Sequence, residues 1–334
     1  MSQSDWRHTL GAQLPTHHWR TRFAPAPTGH LHLGHVVNAL YVWGIARAYG
    51  GAVVLRLEDH DRTRCRPEYE EALLEDLDWL GFVPDISSTA SFRADREAHA
   101  MRQSNHGARY LDALQTLEPH GRVYPCDCSR RRIAAASDGT LGTADATDDG
   151  APVLSDASEA LRYPGWCAHA SRSPDSTPAR RVRMAPGTET FADLRLGRIT
   201  QEPAAQCGDL LVRDRLGQWT YQFAVVVDDL AHEIDVIIRG EDLLASTGRQ
   251  LRLRRLLGGT ATLHTVHHPL VRRPDGTKLS KANHDTAIRD WRARGMSAAE
   301  VIGAAAHAVG LQPTAAPRNA SAVAALFHVA SAPS

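Results

Sequence analysis

The chain has 334 residues, and its 38 Lys and Arg residues balance 38 Asp and Glu residues, so the formal net charge is zero. A chain of this length is expected to form at least two domains, because single cores stop growing at roughly 250 to 300 residues. The charge balance excludes a uniformly basic polyanion binder but does not exclude an RNA partner. No apolar run approaches the roughly 18 residues of a membrane span and no secretion signal is visible, so a cytoplasmic protein is predicted.

The first part of the chain has the pattern of a strand, a glycine-bearing loop, a helix and a second strand. A short strand is predicted at 21–24, followed by the loop Pro25–Gly29. Apolar residues at helical spacing from Leu33 predict a helix that ends near Gly50. The run Val53–Leu57 then predicts a buried strand. This βαβ unit indicates a parallel sheet with a right-handed crossover.

The α/β pattern recurs later in the chain. Pro67 in a first turn and Gly81 just past the apolar run delimit a second helix. Further along, three strands and a helix are predicted at Asp209–Arg213, Phe223–Val227, Ile234–Ile238 and Glu241–Leu257, respectively. The two α/β parts are separated by a region of different composition.

That middle region holds a Cys-x-Cys pair at Cys126 and Cys128 and a third cysteine, Cys167. Between them, a Gly, Ala, Ser and Asp-rich run at 134–156 is predicted to be a mobile surface loop. An odd total of five cysteines disfavours a disulfide framework. Three thiolates with one oxygen or nitrogen donor suit a closed tetrahedral Zn²⁺ site.

His32 and His35 lie three residues apart at the predicted start of a helix, with Gly34 between them. Both imidazoles would lie on one helix face beside free backbone N–H groups, which suits a phosphate. Gly34 would let a flat group pack against the backbone. On its own, this pattern also fits two partly exposed histidines in an ordinary loop.

A second cationic motif, PDGTKLSKAN, lies at 274–283. Its Asp-Gly turn precedes Lys278 and Lys281. Lysine is a mobile point charge that suits a transferring or departing phosphate. Taken alone, the lysine pair also fits a solvated surface.

Together, HLGH and KLSKA resemble the HIGH and KMSKS signatures of the class I aminoacyl-tRNA synthetases. The resemblance extends to four ordered segments of the glutamyl-tRNA synthetase catalytic core: RFAPAPTGHLHLGH, LRLEDHDRTR, YQFAVVVDD and IIRGEDLLASTGRQ. It covers residues 20–285 and implies a Rossmann-type parallel sheet split by an inserted domain. One alternative interpretation is a nucleotidyltransferase of the same superfold, but the last two segments argue against it. Another alternative is a non-catalytic, zinc-stabilised RNA-binding paralogue.

The resemblance implies that ATP is contacted by Gly34, His32, His35, Glu241 and Lys281. His32 and His35 would stabilise the pentacovalent α-phosphorus, and the lysine motif would stabilise the departing pyrophosphate, with Lys278 and Lys281 as the catalytic lysines. In the implied reaction, the α-carboxylate of glutamate attacks the α-phosphorus of Mg-ATP. The protein then mainly positions the reactants and neutralises developing charge.

The resemblance also implies a glutamate pocket formed by Arg22, Phe23, Ala24, Pro25, Ala26, Glu58, Tyr221 and Arg239. Arg22 or Arg239 would hold a carboxylate, because a charge left unpaired in a closed pocket costs about 2 to 5 kcal/mol. Glu58 would hold the ammonium group, and Tyr221 would add a hydroxyl.

Two departures from the family pattern accompany these roles. Ala26 stands where the family has serine, so one hydroxyl contact to the substrate is lost, whereas Ala282 in place of the last serine of KMSKS leaves the lysines intact. A competing interpretation makes Arg56, Glu58 and Asp59 a structural ion-pair network at the end of a strand.

After the lysine motif, KLSKANHD resembles the truncated paralogue family of glutamyl-queuosine tRNA(Asp) synthetases, and no anticodon-binding domain is predicted. This implies activation of L-glutamate by ATP without tRNA, then transfer of the glutamyl group to queuosine in the anticodon of tRNA(Asp), by a monomer. The alternative is a truncated synthetase that charges the tRNA 3′ end. The paralogue also implies one structural Zn²⁺ held by Cys126, Cys128, Tyr163 and Cys167. Because tyrosine is an uncommon zinc ligand, His169 is a competing fourth donor.

The predicted fold class is α/β, a Rossmann-type parallel sheet split by a zinc-binding α+β domain, with a short helical C-terminal region. The predicted parts are a polar leader at 1–18, two catalytic halves at 19–104 and 204–268, an inserted acceptor and zinc domain at 105–203, and the KLSKA loop with the C-terminal region at 269–334.

Overall fold

The structure is a computed structural model that describes residues 6–137, 161–170, 173, 178–271 and 287–328. Its helices are α1 (Trp6–Gln13), α2 (Leu33–Ala48), α3 (Pro67–Leu80), α4 (Thr89–Ala94), α5 (Gly107–Leu117), α6 (Arg130–Ser137), α7 (Pro203–Cys207), α8 (Tyr221–Ala231), α9 (Leu244–Leu256), α10 (Ile288–Ala293) and α11 (Ala298–Ala308). Its strands are β1 (Arg20–Phe23), β2 (Ala52–Leu55), β3 (Val123–Pro125), β4 (Arg180–Val182), β5 (Glu189–Asp193), β6 (Gly197–Gln201), β7 (Leu210–Arg213), β8 (Val236–Gly240) and β9 (His264–His268). Short 3-10 helices lie at Gln103–Asn105, Glu241–Leu243 and Ala320–Leu326.

β1, α2 and β2 form the predicted βαβ unit. The two strands pair in parallel, with Arg20 opposite Ala52. Between them, α2 is buried on nearly all sides, as expected for a helix that is apolar around its whole circumference. The helix begins after the N-cap His32 and ends before Gly50, whose φ of 72° is left-handed. The elements predicted in this part of the chain are therefore confirmed.

A four-stranded sheet in the order β6-β5-β9-β8 forms the second half of the catalytic region. β8, β9 and β5 run parallel, whereas β6 returns antiparallel to β5, so this sheet is mixed and not purely parallel as predicted. β8 lies beside β1, where the Asp235 N–H group donates to the Arg20 carbonyl at 3.0 Å. The carboxyl ends of β1 and β8 therefore lie at one edge, where α/β proteins bind ligands.

Two of the predicted strands differ from the structure. Phe223–Val227 lies within helix α8, and the strand prediction was wrong because a short apolar run fits a buried helix as well as a buried strand. The strand predicted at Asp209–Arg213 exists as β7, but it belongs to an antiparallel sheet of β3, β4 and β7. Burial alternates along β7, as expected for an antiparallel strand with one covered face.

Two predicted boundaries also differ from the structure. The β5–β6 hairpin at 189–201 was placed in the inserted domain, yet it belongs to the β8–β9 sheet, and the Leu194 N–H group donates to the Thr265 carbonyl at 2.8 Å. Within the predicted leader, α1 packs into the core because Leu10 is fully buried and Trp6 stacks on Tyr41. Residues 134–137 belong to α6, and the rest of the predicted loop lies outside the described residues.

The C-terminal elements cover α2. Phe327 is fully buried and packs so closely on Gly44 that a side chain there would collide with its ring. α11 contributes buried Val301 and Ile302 to the same core. Among the described residues, no helix combines the length and apolar character needed to cross a bilayer.

Asp76, on α3, is a buried carboxyl whose Oδ2 atom has no hydrogen-bond partner among the described residues. Burial raises its pKa to about 6, so the folded state prefers the neutral acid. As the pH rises, the carboxyl ionises first in the unfolded chain, which has the lower pKa. The free energy of unfolding therefore falls between the pKa of the unfolded chain and that of the folded protein. We predict that Asp76→Asn stabilises the protein by up to about 3 kcal/mol at pH 8 and about half that at pH 5.

Urea unfolding at the two pH values measures this difference. Asp112→Asn is the matched control because Asp112 is exposed on α5 and loses the same charge. The control is expected to leave the free energy of unfolding within about 0.5 kcal/mol of the parent. Equal or lower stability of Asp76→Asn at pH 8 would contradict the prediction.

Candidate active site

The loop after β1 is fixed to the segment after β2 by backbone hydrogen bonds. The N–H groups of Arg56, Glu58 and Arg66 donate to the carbonyls of Phe23, Pro25 and Pro27, respectively, each at 3.1 Å. The two loops therefore form one unit at the carboxyl ends of adjacent parallel strands.

His32 and His35 meet at the start of α2, with their ring centroids 4.1 Å apart. Nδ1 of His32 accepts from the Gly34 N–H group at 3.1 Å, and Nδ1 of His35 accepts from the His32 N–H group at 3.1 Å. Because each Nδ1 is an acceptor, each neutral ring carries its proton on Nε2. The helix start thus presents two imidazole N–H donors that can contact phosphate oxygens.

Gly34 is required by the His32 ring. A Cβ atom at this position would lie 2.9 Å from Cε1 of His32. Any larger residue would push the imidazole away from its capping position. The sequence suggested that Gly34 accommodates a flat ligand, but in the structure the flat group over it is the neighbouring imidazole.

Asp229 accepts hydrogen bonds from two buried arginines, Arg22 and Arg56. Arg22 donates through Nε to Asp229 Oδ1 at 3.2 Å, and Arg56 donates through Nη1 to the same oxygen at 2.7 Å. Arg56, which is fully buried, also donates through Nη2 to Glu58 at 3.2 Å. This chain of contacts connects the two residues predicted to hold opposite charges of glutamate, Arg22 and Glu58.

Asp59 faces away from this chain. Its carboxylate accepts from Arg102 at 2.8 Å and from the Ser104 hydroxyl at 2.8 Å. Ion pairs of Arg56 with Glu58 and of Asp59 with Arg102 agree with the competing interpretation of a structural ion-pair network. Glu58 contacts Arg56 through one oxygen, and its other oxygen has no hydrogen bond among the described residues.

Arg239, at the end of β8, is a buried guanidinium whose direct hydrogen-bond partners in the described structure include no carboxylate. Its partners are the His267 ring at 3.1 Å, Gln250 at 2.7 Å, Thr247 at 2.8 Å, the Leu243 carbonyl at 3.4 Å and Tyr221. Burial lowers its pKa. Because buried charges normally have a counter-ion, this site is prepared for an anion.

The remaining predicted residues lie around these charges. Tyr221 begins α8 and is half-buried. Phe23 packs its ring against Trp43 in the core, so only its backbone can reach the site. Ala24, Pro25 and Ala26 form the loop described above. Glu241, predicted to contact ATP, forms an ion pair with Arg195. Lys278 and Lys281 lie outside the described residues.

The three cysteines predicted as metal ligands form one buried cluster. Sγ of Cys128 lies 3.5 Å from Sγ of Cys167, and the Tyr163 hydroxyl lies 3.5 Å from Sγ of Cys126 and 3.8 Å from that of Cys128. Donors of a tetrahedral Zn²⁺ with 2.3 Å bonds are about 3.8 Å apart. The four side chains therefore fit such an ion, whereas His169 is exposed and is not part of the cluster.

Arg181 packs against this cysteine cluster. Its Nε atom donates to Sγ of Cys126 at 3.2 Å, and its guanidinium lies 3.7 Å from the Tyr163 ring centroid. Hydrogen bonding from Cys128, aided by the Arg181 charge, lowers the pKa of Cys126. Arg181 is therefore buried and has a structural role beside the cluster.

Sequence reasoning missed two acid and histidine pairs. Asp193 contacts Nδ1 of His267 at 2.7 Å, behind Arg239. Asp228 contacts Nδ1 of His106 at 2.7 Å and the Tyr110 hydroxyl at 2.6 Å, which ties α5 to α8. The only signal for such pairs was the presence of polar residues inside apolar runs, and spacing alone cannot show their partners.

Comparison with known proteins identifies the family of this chain. Residues 18–316 match the family of class I tRNA synthetases (E and Q), catalytic domain. The chain is 36% identical over 322 residues to the glutamyl-Q tRNA(Asp) synthetase of Nitratidesulfovibrio vulgaris, covering 94% of this chain and 93% of that one. It is also 36% identical to the protein of that name from Rhodobacter capsulatus, covering 84% and 97% of the respective chains.

Among solved structures, the glutamate-tRNA synthetase of Elizabethkingia anophelis superposes with a TM-score of 0.68 at 25% identity. The match covers 87% of this chain but 61% of that one, so this chain spans about three fifths of the length of that synthetase. The chain belongs to the class I tRNA synthetases for glutamate and glutamine, and it is a ligase of the group that includes the glutamyl-Q tRNA(Asp) synthetases.

Proposed function

We propose that this enzyme activates L-glutamate with ATP, without tRNA, and then transfers the glutamyl group to queuosine in the anticodon of tRNA(Asp). The names of the relatives support the acceptor. The observation that carries the amino-acid specificity is Arg239, a buried cation whose hydrogen-bond partners among the described residues are all neutral groups. A carboxylate of glutamate would supply its missing counter-ion.

Several groups converge on this substrate. Arg239 holds one carboxylate by exchanging its weakest contact, the 3.4 Å contact to the Leu243 carbonyl. Glu58 offers its free oxygen to the ammonium group. Arg22, whose charge is balanced by Asp229, steadies the other end of the amino acid. The attacking α-carboxylate is thereby held in place, which converts a bimolecular reaction into an oriented one.

The histidine pair acts on the nucleotide, which enters as its Mg²⁺ complex. The Nε2–H groups of His32 and His35 donate to oxygens of the α-phosphate, where negative charge develops as the carboxylate attacks. Lys278 and Lys281 stabilise the pyrophosphate as it leaves. No covalent enzyme intermediate is needed.

Cys126, Cys128, Cys167 and Tyr163 hold a structural Zn²⁺. Bound there, the ion would join the segment after β3 to the turn at 161–170. Thiolate ligands and a closed, buried site are typical of structural zinc and not of catalytic zinc.

The acceptor is tested by mapping the label after incubation with ATP, labelled glutamate and total tRNA. We expect label on an anticodon nucleoside of tRNA(Asp), and no label with queuosine-free tRNA. Label on the 3′-terminal adenosine would identify a truncated charging enzyme and overturn the proposed acceptor. A folded protein that supports no glutamate-dependent pyrophosphate exchange would favour a non-catalytic RNA-binding role.

Replacing Arg239 tests the amino-acid site. Arg239→Gln is expected to raise the KM for glutamate by at least about 30-fold, because losing a buried charge partner costs about 2 kcal/mol or more. The KM for ATP in the exchange assay is expected to change little. Arg254→Gln is the matched control, since Arg254, which lies on α9, is also a buried arginine. Equal effects of both variants on the KM for glutamate would contradict the assignment.

Metal content tests the cysteine cluster. The purified protein is expected to contain one Zn²⁺ per chain, and its removal by a chelator is expected to lower Tm by about 10 °C. Tyr163→Phe is expected to weaken zinc retention, while His169→Ala leaves it unchanged. Weaker zinc retention in His169→Ala than in Tyr163→Phe would make His169 the fourth ligand. A zinc-free protein of full stability would exclude the structural site.

A further inference from the structure

Arg239 ends a line of three buried groups that begins with Asp193 on the β5–β6 hairpin and continues through His267. Asp193 Oδ2 lies 2.7 Å from Nδ1 of His267, and Nε2 of His267 lies 3.1 Å from Nε of Arg239. The exposed fraction of the His267 side chain is 0% and that of Asp193 is 0%. Neither side chain reaches solvent, so both depend on contacts inside the protein, which for Nε2 of His267 also include the Thr247 hydroxyl at 3.1 Å.

The hydrogen bonds determine the protonation of His267. Arg239 Nε always carries a proton, so it donates and Nε2 of His267 must accept. The single proton of the neutral ring is then on Nδ1 and is donated to Asp193. Burial lowers the pKa of His267, in agreement with a neutral ring. A protonated ring would direct an N–H group at the arginine and break the contact.

Asp193 is itself held rigidly. Its Oδ2 accepts from the Thr265 hydroxyl at 3.0 Å and from the His267 N–H group at 3.1 Å, and its Oδ1 accepts from the N–H groups of Arg195 and Leu196 at 3.1 and 2.9 Å. Four hydrogen bonds besides the one to the imidazole thus fix the orientation of this carboxylate. Asp193 therefore holds the His267 imidazole in one orientation.

We infer that Asp193 and His267 are positioning residues for glutamate binding, which hold the Arg239 guanidinium by its Nε edge so that it faces the substrate carboxylate. This inference rests on the proposed function. The arrangement also gives Arg239 an indirect counter-charge, which stabilises the cation without neutralising it by direct contact. A carboxylate in direct contact with Arg239 would compete with the substrate carboxylate for the guanidinium. The neutral imidazole of His267 lies between Asp193 and Arg239 and avoids that competition.

Two replacements of His267 separate positioning from packing. Gln places an acceptor oxygen near the Nε2 position, whereas Asn places its amide near Nδ1 and leaves no acceptor for Arg239. His267→Asn is expected to raise the KM for glutamate by about 10- to 100-fold, the range seen when an outer partner of a ligand is removed. His267→Gln is expected to stay within about threefold of the parent, and both should leave the KM for ATP within about threefold.

Asp193→Asn is a second variant that keeps the side-chain shape, and it is expected to raise the KM for glutamate in the same direction. The matched control is Glu189→Gln on the same hairpin. Glu189 is also buried, but it contacts Arg252 at 2.7 Å and Arg255, on α9. This control is expected to change Tm without changing the KM for glutamate.

Crystal structures of the parent and of His267→Asn complete the test, with a displaced Arg239 guanidinium expected in the variant. Equal KM values for glutamate in the Asn and Gln variants, or an unmoved guanidinium, would overturn the inference while leaving the proposed function intact. If the parent shows no glutamate-dependent exchange, the proposed function fails. The guanidinium position then still decides whether Asp193 and His267 position Arg239.

Discussion

The buried contact between Arg56 and Asp229 connects the two halves of the catalytic region. Arg56 follows β2 and Asp229 lies on α8, far apart in the chain, and neither is exposed. Removing one partner of such a pair leaves an uncompensated charge inside the protein, at a cost of about 3 to 5 kcal/mol. Because Asp229 also binds Arg22 and Arg56 also binds Glu58, the contact that joins the halves links the two residues proposed to face the substrate.

The distribution of charge around the site follows from this arrangement. Arg22 and Arg56 are balanced inside the protein by Asp229 and Glu58, so they can keep their positions with or without substrate. Arg239 differs from them, because its direct hydrogen-bond partners in the described part of the chain are neutral. Under the proposed function, the site would combine two arginines that are paired with carboxylates of the protein and one arginine, Arg239, that is paired with a carboxylate of the substrate.

Local patterns predicted much of the fold and part of the site. Pro67 and Gly81 delimited α3 correctly because their backbone preferences act at the helix ends themselves. The Phe223–Val227 error arose because burial on all sides removes the periodicity that separates helix from strand. Cys126, Cys128 and Cys167 could be grouped by spacing. The contacts of Asp193 and Asp229 could not be found in this way, since their partners are brought near by strand pairing and helix packing over long chain separations.

The incomplete charge balance at Arg239 also affects the protein before its substrate arrives. An anion that binds the folded chain but not the unfolded one stabilises it by mass action, in proportion to the logarithm of its concentration. If Arg239 binds a carboxylate of glutamate as proposed, chloride and other small anions would compete for the same position. The ionic composition of the solution would then set both the thermal stability of the empty enzyme and the fraction of it that is open to an amino acid.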